Sequence, residues 1–237
     1  MTFSLNRVYA IFAKDIKDLS KNMFVLTSMI MIIPLAILIG SGSKEPSIQI
    51  HYLAINMAFT MVTVFVQCAL IAEEKEKNTL RGLILSPAST FEILSGKSLL
   101  SIVLTIITVT ICVLITGYDP ANFLIVVLAI FISIFFYIAL GTLLGLLTKS
   151  VMEASVIILP VLILFGLGTF LKALTEEYPQ LSFIEYLPNI QLELLATEVQ
   201  NGAGIADVWA QLAVIAVWVV SACVLVVVTY KKRAIDE

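Results

Sequence analysis

The sequence predicts an all-α membrane protein with six transmembrane helices. Of its 237 residues, 60% are hydrophobic and 13% are charged, whereas a soluble domain carries about a quarter charged residues. Six continuous apolar stretches approach the roughly 20 residues that a helix needs to cross a bilayer. They lie at 23–40, 52–72, 98–117, 121–147, 155–171 and 208–230. These stretches lack the alternation that is typical of a membrane β-barrel, so we expect one transmembrane domain over residues 1–237.

The positions of lysine and arginine predict the orientation of these spans. Twelve of the 14 basic residues fall in the N-terminal segment, the loops after the second and fourth spans, and the C-terminal tail. Only Lys44 and Lys172 fall on the other side. Because cytoplasmic segments are enriched in Lys and Arg, we expect both termini in the cytoplasm.

The N-terminal segment at 4–21 predicts an amphipathic helix that lies in the membrane interface. Its apolar residues recur at steps of three and four, with basic residues on the other faces. The apolar residues are Leu5, Val8, Tyr9, Phe12, Ile16 and Leu19.

Single residues within the spans predict how the helices bend and pack. Pro34 in the first span is expected to kink its helix. Asn56 and Gln67 in the second span are expected to hydrogen-bond neighbouring helices, with the lining of a polar path as the alternative. Gly141 and Gly145 in the fourth span form a pair of small residues that allows close helix contact.

The segment at 172–207, between the fifth and sixth spans, predicts short external helices. Apolar residues are mixed with glutamates, and Pro188 divides the helical pattern at 181–200. We expect two short helices, partly re-entrant or lying on the outer interface.

The charged segment at 73–95, between the second and third spans, is the main candidate for a functional element. Eight charged residues lie between the two apolar stretches, and lipid cannot hold such a segment. They are Glu73, Glu74, Lys75, Glu76, Lys77, Arg81, Glu92 and Lys97. The segment is predicted to be a solvated loop or a docking element that takes mechanical input from a partner.

The residue pattern does not predict an enzyme, a bound cofactor or a metal site in this chain. The single histidine, His51, cannot build a metal cluster, and each cysteine lies alone in an apolar stretch. Gly96-Lys97-Ser98 is not a phosphate-binding loop, because Phe91 occupies the position of the required first glycine. The cysteines are Cys68, Cys112 and Cys223.

The charged segment and its flanks resemble the signature of the ABC type-2 exporter permeases. In that family an acidic-basic-acidic run, Gly-Thr-Leu, a leucine pair and Ser/Thr-Pro precede a lysine that opens the next span. The matching residues are Ile71-Ala72-Glu73-Glu74-Lys75-Glu76-Lys77-Asn78-Thr79-Leu80, Leu83-Ile84-Leu85-Ser86-Pro87-Ala88-Ser89 and Gly96-Lys97. Asn78 departs from the pattern, since the family usually has Gly there. The interface helix, six spans and external helices extend the resemblance over the whole chain.

The resemblance implies a transmembrane permease subunit of an ATP-driven exporter, in the drug, peptide and lipid branch. Two permease chains, identical or homologous, would pair with two P-loop ATPase subunits, which bind ATP and Mg. The loop after the second span would form the coupling helix, with Glu74 and Glu76 facing basic groups of the ATPase or of the interface helix. Leu83 and Leu85 would be apolar anchors, and Pro87 would set the return turn. The expected ATPase-coupling residues are Glu73, Glu74, Glu76, Thr79, Leu80, Leu83, Leu85, Ser86 and Pro87.

The expected substrate is hydrophobic or amphipathic, such as a drug, an antimicrobial peptide or a lipid-like molecule, because the spans carry few ionisable residues. The pattern does not identify substrate-binding residues. We expect a multi-pass protein of the bacterial cytoplasmic membrane, with no nucleic-acid partner. The alternatives are a haem-maturation type ABC permease, an ATPase-independent channel or carrier, and a membrane scaffold protein.

Overall fold

The chain forms a bundle of helices in a computed structural model, which describes residues 3–42, 47–77, 79 and 89–236. All regular elements within these residues are helical, which confirms the predicted all-α class. The helices are α1 (Leu5–Leu19), α2 (Met23–Ile30), α3 (Ile32–Gly40), α4 (Ile48–Glu76), α5 (Thr90–Thr116), α6 (Phe123–Leu147), α7 (Val151–Gly166), α8 (Gly168–Glu177), a 3₁₀ helix (Pro179–Tyr186), α9 (Pro188–Gln200) and α10 (Trp209–Asp236).

Within the described residues, four helices are long and apolar enough to cross a membrane: Ile48–Glu76, Phe91–Thr116, Phe123–Leu147 and Trp209–Lys232. They correspond to the predicted second, third, fourth and sixth spans. The apolar helices at the predicted first and fifth spans, Val25–Gly40 and Val151–Gly166, are shorter. Four of the six spans are therefore supported by helix length and composition, and the six-span topology stays a prediction.

The first predicted span is locally irregular near Pro34 but is not divided into separate helices. The regular hydrogen-bond pattern breaks at Met31, between α2 and α3 and three residues before Pro34, although Met31 keeps helical dihedral angles (φ −61°, ψ −21°). Proline has no N–H to donate to the carbonyl four residues earlier, here that of Ile30. The break therefore falls where the proline removes a backbone hydrogen bond.

The second span, α4, is the central helix of the bundle. In its most apolar 18-residue window 94% of the residues are buried, compared with 17% in α10 at the periphery. Helices α3, α5, α6, α7 and α9 all contact α4. Its middle turn, Phe59–Val64, is a π-helix and contacts the π-helical end of α7, Leu162–Gly166.

Gln67 of α4 hydrogen-bonds two neighbouring helices, as predicted. Its Nε2 donates to Thr142 Oγ1 of α6 at 3.0 Å, and its Oε1 accepts from Ser101 Oγ of α5 at 2.7 Å. The same prediction is wrong for Asn56, whose buried amide has no hydrogen-bond partner within the described part of the chain. Asn56 therefore contributes no hydrogen bond to helix packing.

Replacing Gln67 with leucine is expected to lower the free energy of unfolding by about 1–2 kcal/mol, since interhelical hydrogen bonds in membranes have about that strength. Thr142 and Ser101 would each lose a hydrogen-bond partner. SDS titration of the purified protein measures the change. Asn56→Leu is the matched control, because Asn56 makes no such bond; an equal or larger loss in Asn56→Leu would contradict the assignment.

The glycine pair of α6 makes the close helix contact that the sequence predicts. A Cβ atom on Gly141 would lie 2.7 Å from the carbonyl oxygen of Val64 in α4. On Gly145, it would lie 2.8 Å from the Cβ atom of Ile71. Helices α4 and α6 therefore approach each other with no room for larger side chains at these positions.

The fifth span differs from the predicted range of 155–171. Its helix, α7, begins at Val151 and ends at Gly166, and α8 begins at Gly168. Ser150 caps the start of α7 by accepting from the Glu153 N–H at 3.2 Å. At the other end of α7, Asn189 Nδ2 donates to the Leu164 carbonyl oxygen at 3.3 Å. This hydrogen bond supplies a donor to one of the last carbonyl groups of the helix, which lack donors within the helix itself.

The segment between the fifth and sixth spans contains the predicted division at Pro188. The 3₁₀ helix ends at Tyr186, and α9 begins at Pro188. However, α9 is largely buried and contacts α4, α6 and α10. It is therefore an inserted part of the bundle rather than a helix on its surface.

Candidate functional site: the charged end of the bundle

Both ends of the charged segment at 73–95 are helical in the described residues. Helix α4 continues to Glu76 and α5 begins at Thr90, and residues 78 and 80–88 between them lie outside the described part of the chain. Glu73, Glu74, Glu92 and Lys97 thus lie on helices. The helices extend beyond the apolar stretches because α1 packs over their ends and pairs with their charges. We call this end of the bundle, where α1 meets α4 and α5, the charged end.

Helix α1 uses one face to pack on α5. Val8, Ile11 and Leu19 are buried together with Asp15. Gly96 permits the close approach, because a Cβ atom there would lie 2.8 Å from the Ile11 Cβ. The amphipathic helix is therefore attached to the start of the third span.

A separate apolar face of α1 remains exposed. Leu5, Tyr9 and Ile16 are exposed, whereas Val8 and Leu19 are buried. The single stripe that the sequence predicts is thus divided between a packed face and a free face. The free face is suited to contact lipid at the membrane interface.

Three buried charged side chains and the partly exposed Lys14 form an ion cluster, which we call the buried ion cluster, at the contact of α1, α4 and α5. Lys97 Nζ lies 3.4 Å from both Asp15 carboxylate oxygens and 3.0 Å from Glu74 Oε1. Lys14 Nζ donates to the same Glu74 oxygen at 2.5 Å. The side chains of Lys97, Asp15 and Glu74 are 1%, 2% and 5% exposed. One lysine therefore joins the interface helix to both helices that flank the segment at 77–89.

Burial and charge pairing act in opposite directions on these groups. Burial raises the pKa of the Asp15 carboxyl, and the nearby positive charge of Lys97 opposes the shift. Burial lowers the pKa of Lys14, but its hydrogen bond with Glu74 and that carboxylate's charge outweigh the effect and raise it. The cluster thus retains buried charges because each has a partner of opposite sign.

Glu92 forms a second connection between α1 and α5. Its carboxylate accepts from the backbone N–H groups of Ser4 and Ser89, both at 2.6 Å, and it lies 3.4 Å from Arg7 Nη1. Ser89 Oγ accepts from the Glu92 N–H in return, which completes a capping box. The same carboxylate therefore caps α5 and holds the N-terminus of α1.

Replacing Glu92 with alanine is expected to release the start of α1 from α5, because both backbone donors lose their acceptor. Limited trypsin digestion in detergent should then cleave after Arg7 and Lys14 several-fold faster than in the wild type. Glu153→Ala is a matched control, since Glu153 caps the start of α7 instead. Equal protection of α1 in Glu92→Ala and wild type would contradict this role.

The end of α4 also holds the turn between α6 and α7. Glu76 Oε2 accepts from the Val151 N–H at 3.0 Å. Lys75 Nζ donates to the carbonyl oxygens of Leu146, at 2.7 Å, and Thr148. Displacement of the end of α4 would therefore act on the fifth span as well as on the third.

The structure places four of the predicted coupling residues in this region. Glu73, Glu74 and Glu76 lie on the last turns of α4, and Thr79 Oγ1 donates to the Glu74 carbonyl at 3.3 Å. Glu74 faces the interface helix, which is one of the two environments expected for it. The other predicted residues lie outside the described part of the chain: Leu80, Leu83, Leu85, Ser86 and Pro87.

The sequence prediction did not include Lys14, Asp15, Glu92 or Lys97 among the site residues. A signal for Asp15 is present, because it recurs in register with Ile11 and Leu19 on the face that α1 buries. A signal for Lys97 is its place at the opening of a long apolar stretch.

Comparison with known proteins gives one family. The model of a family described as ABC-2 family transporter protein matches residues 29–230. A search of curated proteins finds no match to this chain. The family match covers the helices from α3 to most of α10, including α4 and α5 at the charged end.

Proposed function

Because this chain belongs to the ABC-2 family of transporter proteins, and is thus a multi-pass permease subunit of an ABC transporter, we propose that it serves an ATP-driven exporter. A separate P-loop ATPase subunit, present in two copies, binds ATP and Mg and supplies the energy. A second permease chain, identical or homologous, completes the transport path.

The observation that carries this proposal is the buried ion cluster. Lys97 binds Asp15 of α1 and Glu74 of α4 from its position on α5. The segment at 77–89 joins the end of α4, two residues after Glu74, to the start of α5, seven residues before Lys97. A partner that displaces the segment therefore acts on α1, α4 and α5 together.

The mechanism that follows is a rigid-body movement of the permease helices. Closure of the ATPase dimer on ATP displaces the segment at 77–89, which is the coupling element. The buried ion pairs keep α1, α4 and α5 together during the displacement. Glu76 transmits the movement to α7 through its hydrogen bond with the Val151 N–H. The two permease chains then change the side from which their shared path is accessible.

The substrate of this path is hydrophobic or amphipathic and leaves the cytoplasm or the inner leaflet. The 48–72 part of α4 and the whole of α6 contain no Asp, Glu, Lys or Arg. A carrier of small ions or strongly polar solutes usually keeps ionisable residues inside the membrane. By family resemblance, the first, second and fifth spans line the path, and in this chain they correspond to α2–α3, α4 and α7.

Transport by inside-out membrane vesicles tests the proposal. Vesicles that contain the chain and its ATPase are expected to accumulate a hydrophobic dye, an amphipathic peptide or a fluorescent lipid when ATP and Mg are added. A variant ATPase without its P-loop lysine is the control and should show no accumulation. ATP-driven movement of small hydrophilic solutes alone, or movement in the import direction, would contradict the proposal.

A further inference from the structure

A cavity of about 210 Å³ lies at the charged end, between α1 and α4. Six charged residues line it: Lys14, Asp15, Asp18, Glu73, Glu74 and Lys77. Thr79 lies at its edge, where the chain leaves α4 for the predicted coupling residues. We call it the α1–α4 cavity.

One carboxylate oxygen of Glu74, a residue that lines this cavity, has no hydrogen-bond partner among the described residues. Glu74 Oε1 is bound by both Lys14 and Lys97, but Glu74 Oε2 is buried and has no hydrogen bond. A buried carboxylate oxygen without a donor is costly, because the lost hydration is not replaced. Within the described residues, this oxygen therefore lacks a donor.

The charges around the cavity do not balance. Among the described residues, the four carboxylates that line it (Asp15, Asp18, Glu73 and Glu74) have three ammonium partners: Lys14 and Lys77 in the lining, and the buried Lys97, which pairs with Asp15 and Glu74. The pairs Lys77–Glu73 at 2.5 Å and Lys14–Asp18 at 3.6 Å lie at the rim. One negative charge remains in excess, which matches a single monovalent cation.

We propose that the α1–α4 cavity receives one basic side chain of the ATPase subunit, which donates to Glu74 Oε2 and neutralises the excess charge. The inference rests on the proposed function, because it requires a separate ATPase beside the coupling segment. A guanidinium or ammonium group brings several donors on a flexible stem and can reach Asp18 and Glu74 at once. A divalent metal ion is disfavoured here, because the ammonium groups of Lys14 and Lys97 already bind the Glu74 carboxylate and would repel it.

Photo-crosslinking followed by a charge exchange tests this contact. The photoreactive residue p-benzoylphenylalanine replaces the exposed Thr79 in native membranes that contain the whole complex, and mass spectrometry maps the adduct. The expected adduct joins Thr79 to a segment of the ATPase that contains an Arg or Lys. Asp18→Lys, which leaves the Lys97 pairs intact, is then expected to lower recovery of the ATPase about ten-fold or more. Exchange of the mapped basic residue for Glu should restore that recovery.

Two variants serve as controls for Asp18→Lys. Asp18→Asn should give an intermediate loss, since it removes one charge without adding another. Asp119→Lys makes the same change of charge on the exposed turn between α5 and α6 and should not alter recovery.

The outcomes separate this inference from the proposed function. If wild-type chain recovers the ATPase but the charge exchange does not restore the Asp18→Lys loss, the cavity contact is wrong and the exporter function stands. An adduct within this chain that is lost in Arg81→Gln would show that its own arginine fills the cavity, and would overturn the contact. If wild-type chain recovers no ATPase, both the contact and the proposed function fail.

Discussion

Replacing Lys97 with methionine is expected to destabilise the folded protein by about 3–5 kcal/mol, because it leaves the buried carboxylates of Asp15 and Glu74 without their shared cation. Methionine has a similar length, so the loss arises from charge rather than from a cavity. Lys97 is 1% exposed, and water cannot replace it at the cluster. SDS titration of the purified chain measures the change in the free energy of unfolding.

Two further variants show whether the charges cause the Lys97 effect. Lys149→Met is the matched control, because Lys149 is an exposed lysine on the turn between α6 and α7, and its replacement should cost little. Adding Asp15→Asn and Glu74→Gln to Lys97→Met should recover most of the lost stability, since no buried carboxylate is then left unpaired and the half-exposed Lys14 keeps Asp18 as its partner. A triple variant no more stable than Lys97→Met would contradict this explanation.

Replacing Gly141 and Gly145 together with alanine is expected to destabilise the bundle by about 3 kcal/mol. Overpacking costs about 1–3 kcal/mol per site, and the second substitution costs less once α4 and α6 have moved apart. Helix propensity alone predicts the opposite sign, because alanine favours a helix by about 1 kcal/mol over glycine. The sign of the change in SDS titration therefore separates close packing from propensity.

Gly204→Ala is the control for the glycine pair. A Cβ atom at Gly204 would meet its nearest neighbour, an Asp207 oxygen, at 3.7 Å, which is ordinary contact. This variant should unfold like the wild type. A double variant of Gly141 and Gly145 that is as stable as Gly204→Ala would show that α4 and α6 do not pack as closely as described.

The helical class and the four long helices could be predicted, because a continuous apolar stretch of about 20 residues is what a helix needs to cross a bilayer. The amphipathic N-terminal helix could be predicted from the spacing of Val8, Phe12 and Leu19. The local irregularity of the first span was harder to predict. Pro34 indicates that the first span is irregular, but the irregular turn lies earlier in the chain. It lies at Met31, because the proline provides no N–H for the carbonyl of Ile30.

The buried ion cluster could not be predicted from local patterns, because its members are far apart in the chain. Lys97 and Asp15 are separated by 82 positions, and Lys14 and Glu74 by 60. The spans were therefore predicted to end where charges begin, at Ala72 and Ser98. In the structure α4 and α5 continue beyond these points, since α1 supplies the counter-charges that lipid cannot provide.

The charged end gives α1 a role beyond membrane attachment. Its packed face and Asp15 hold α4 and α5, while Leu5, Tyr9 and Ile16 remain free for lipid. In the proposed mechanism, α1 would therefore move together with α4 and α5.

The measurement that tests the proposed coupling most directly is ATPase activity in material purified through this chain from native membranes in mild detergent. The predicted result is a separate P-loop ATPase that co-elutes with the chain and hydrolyses ATP in a Mg-dependent manner. Folded, correctly localised chain that recovers no ATPase in several mild detergents would contradict it and would favour a channel or a scaffold protein.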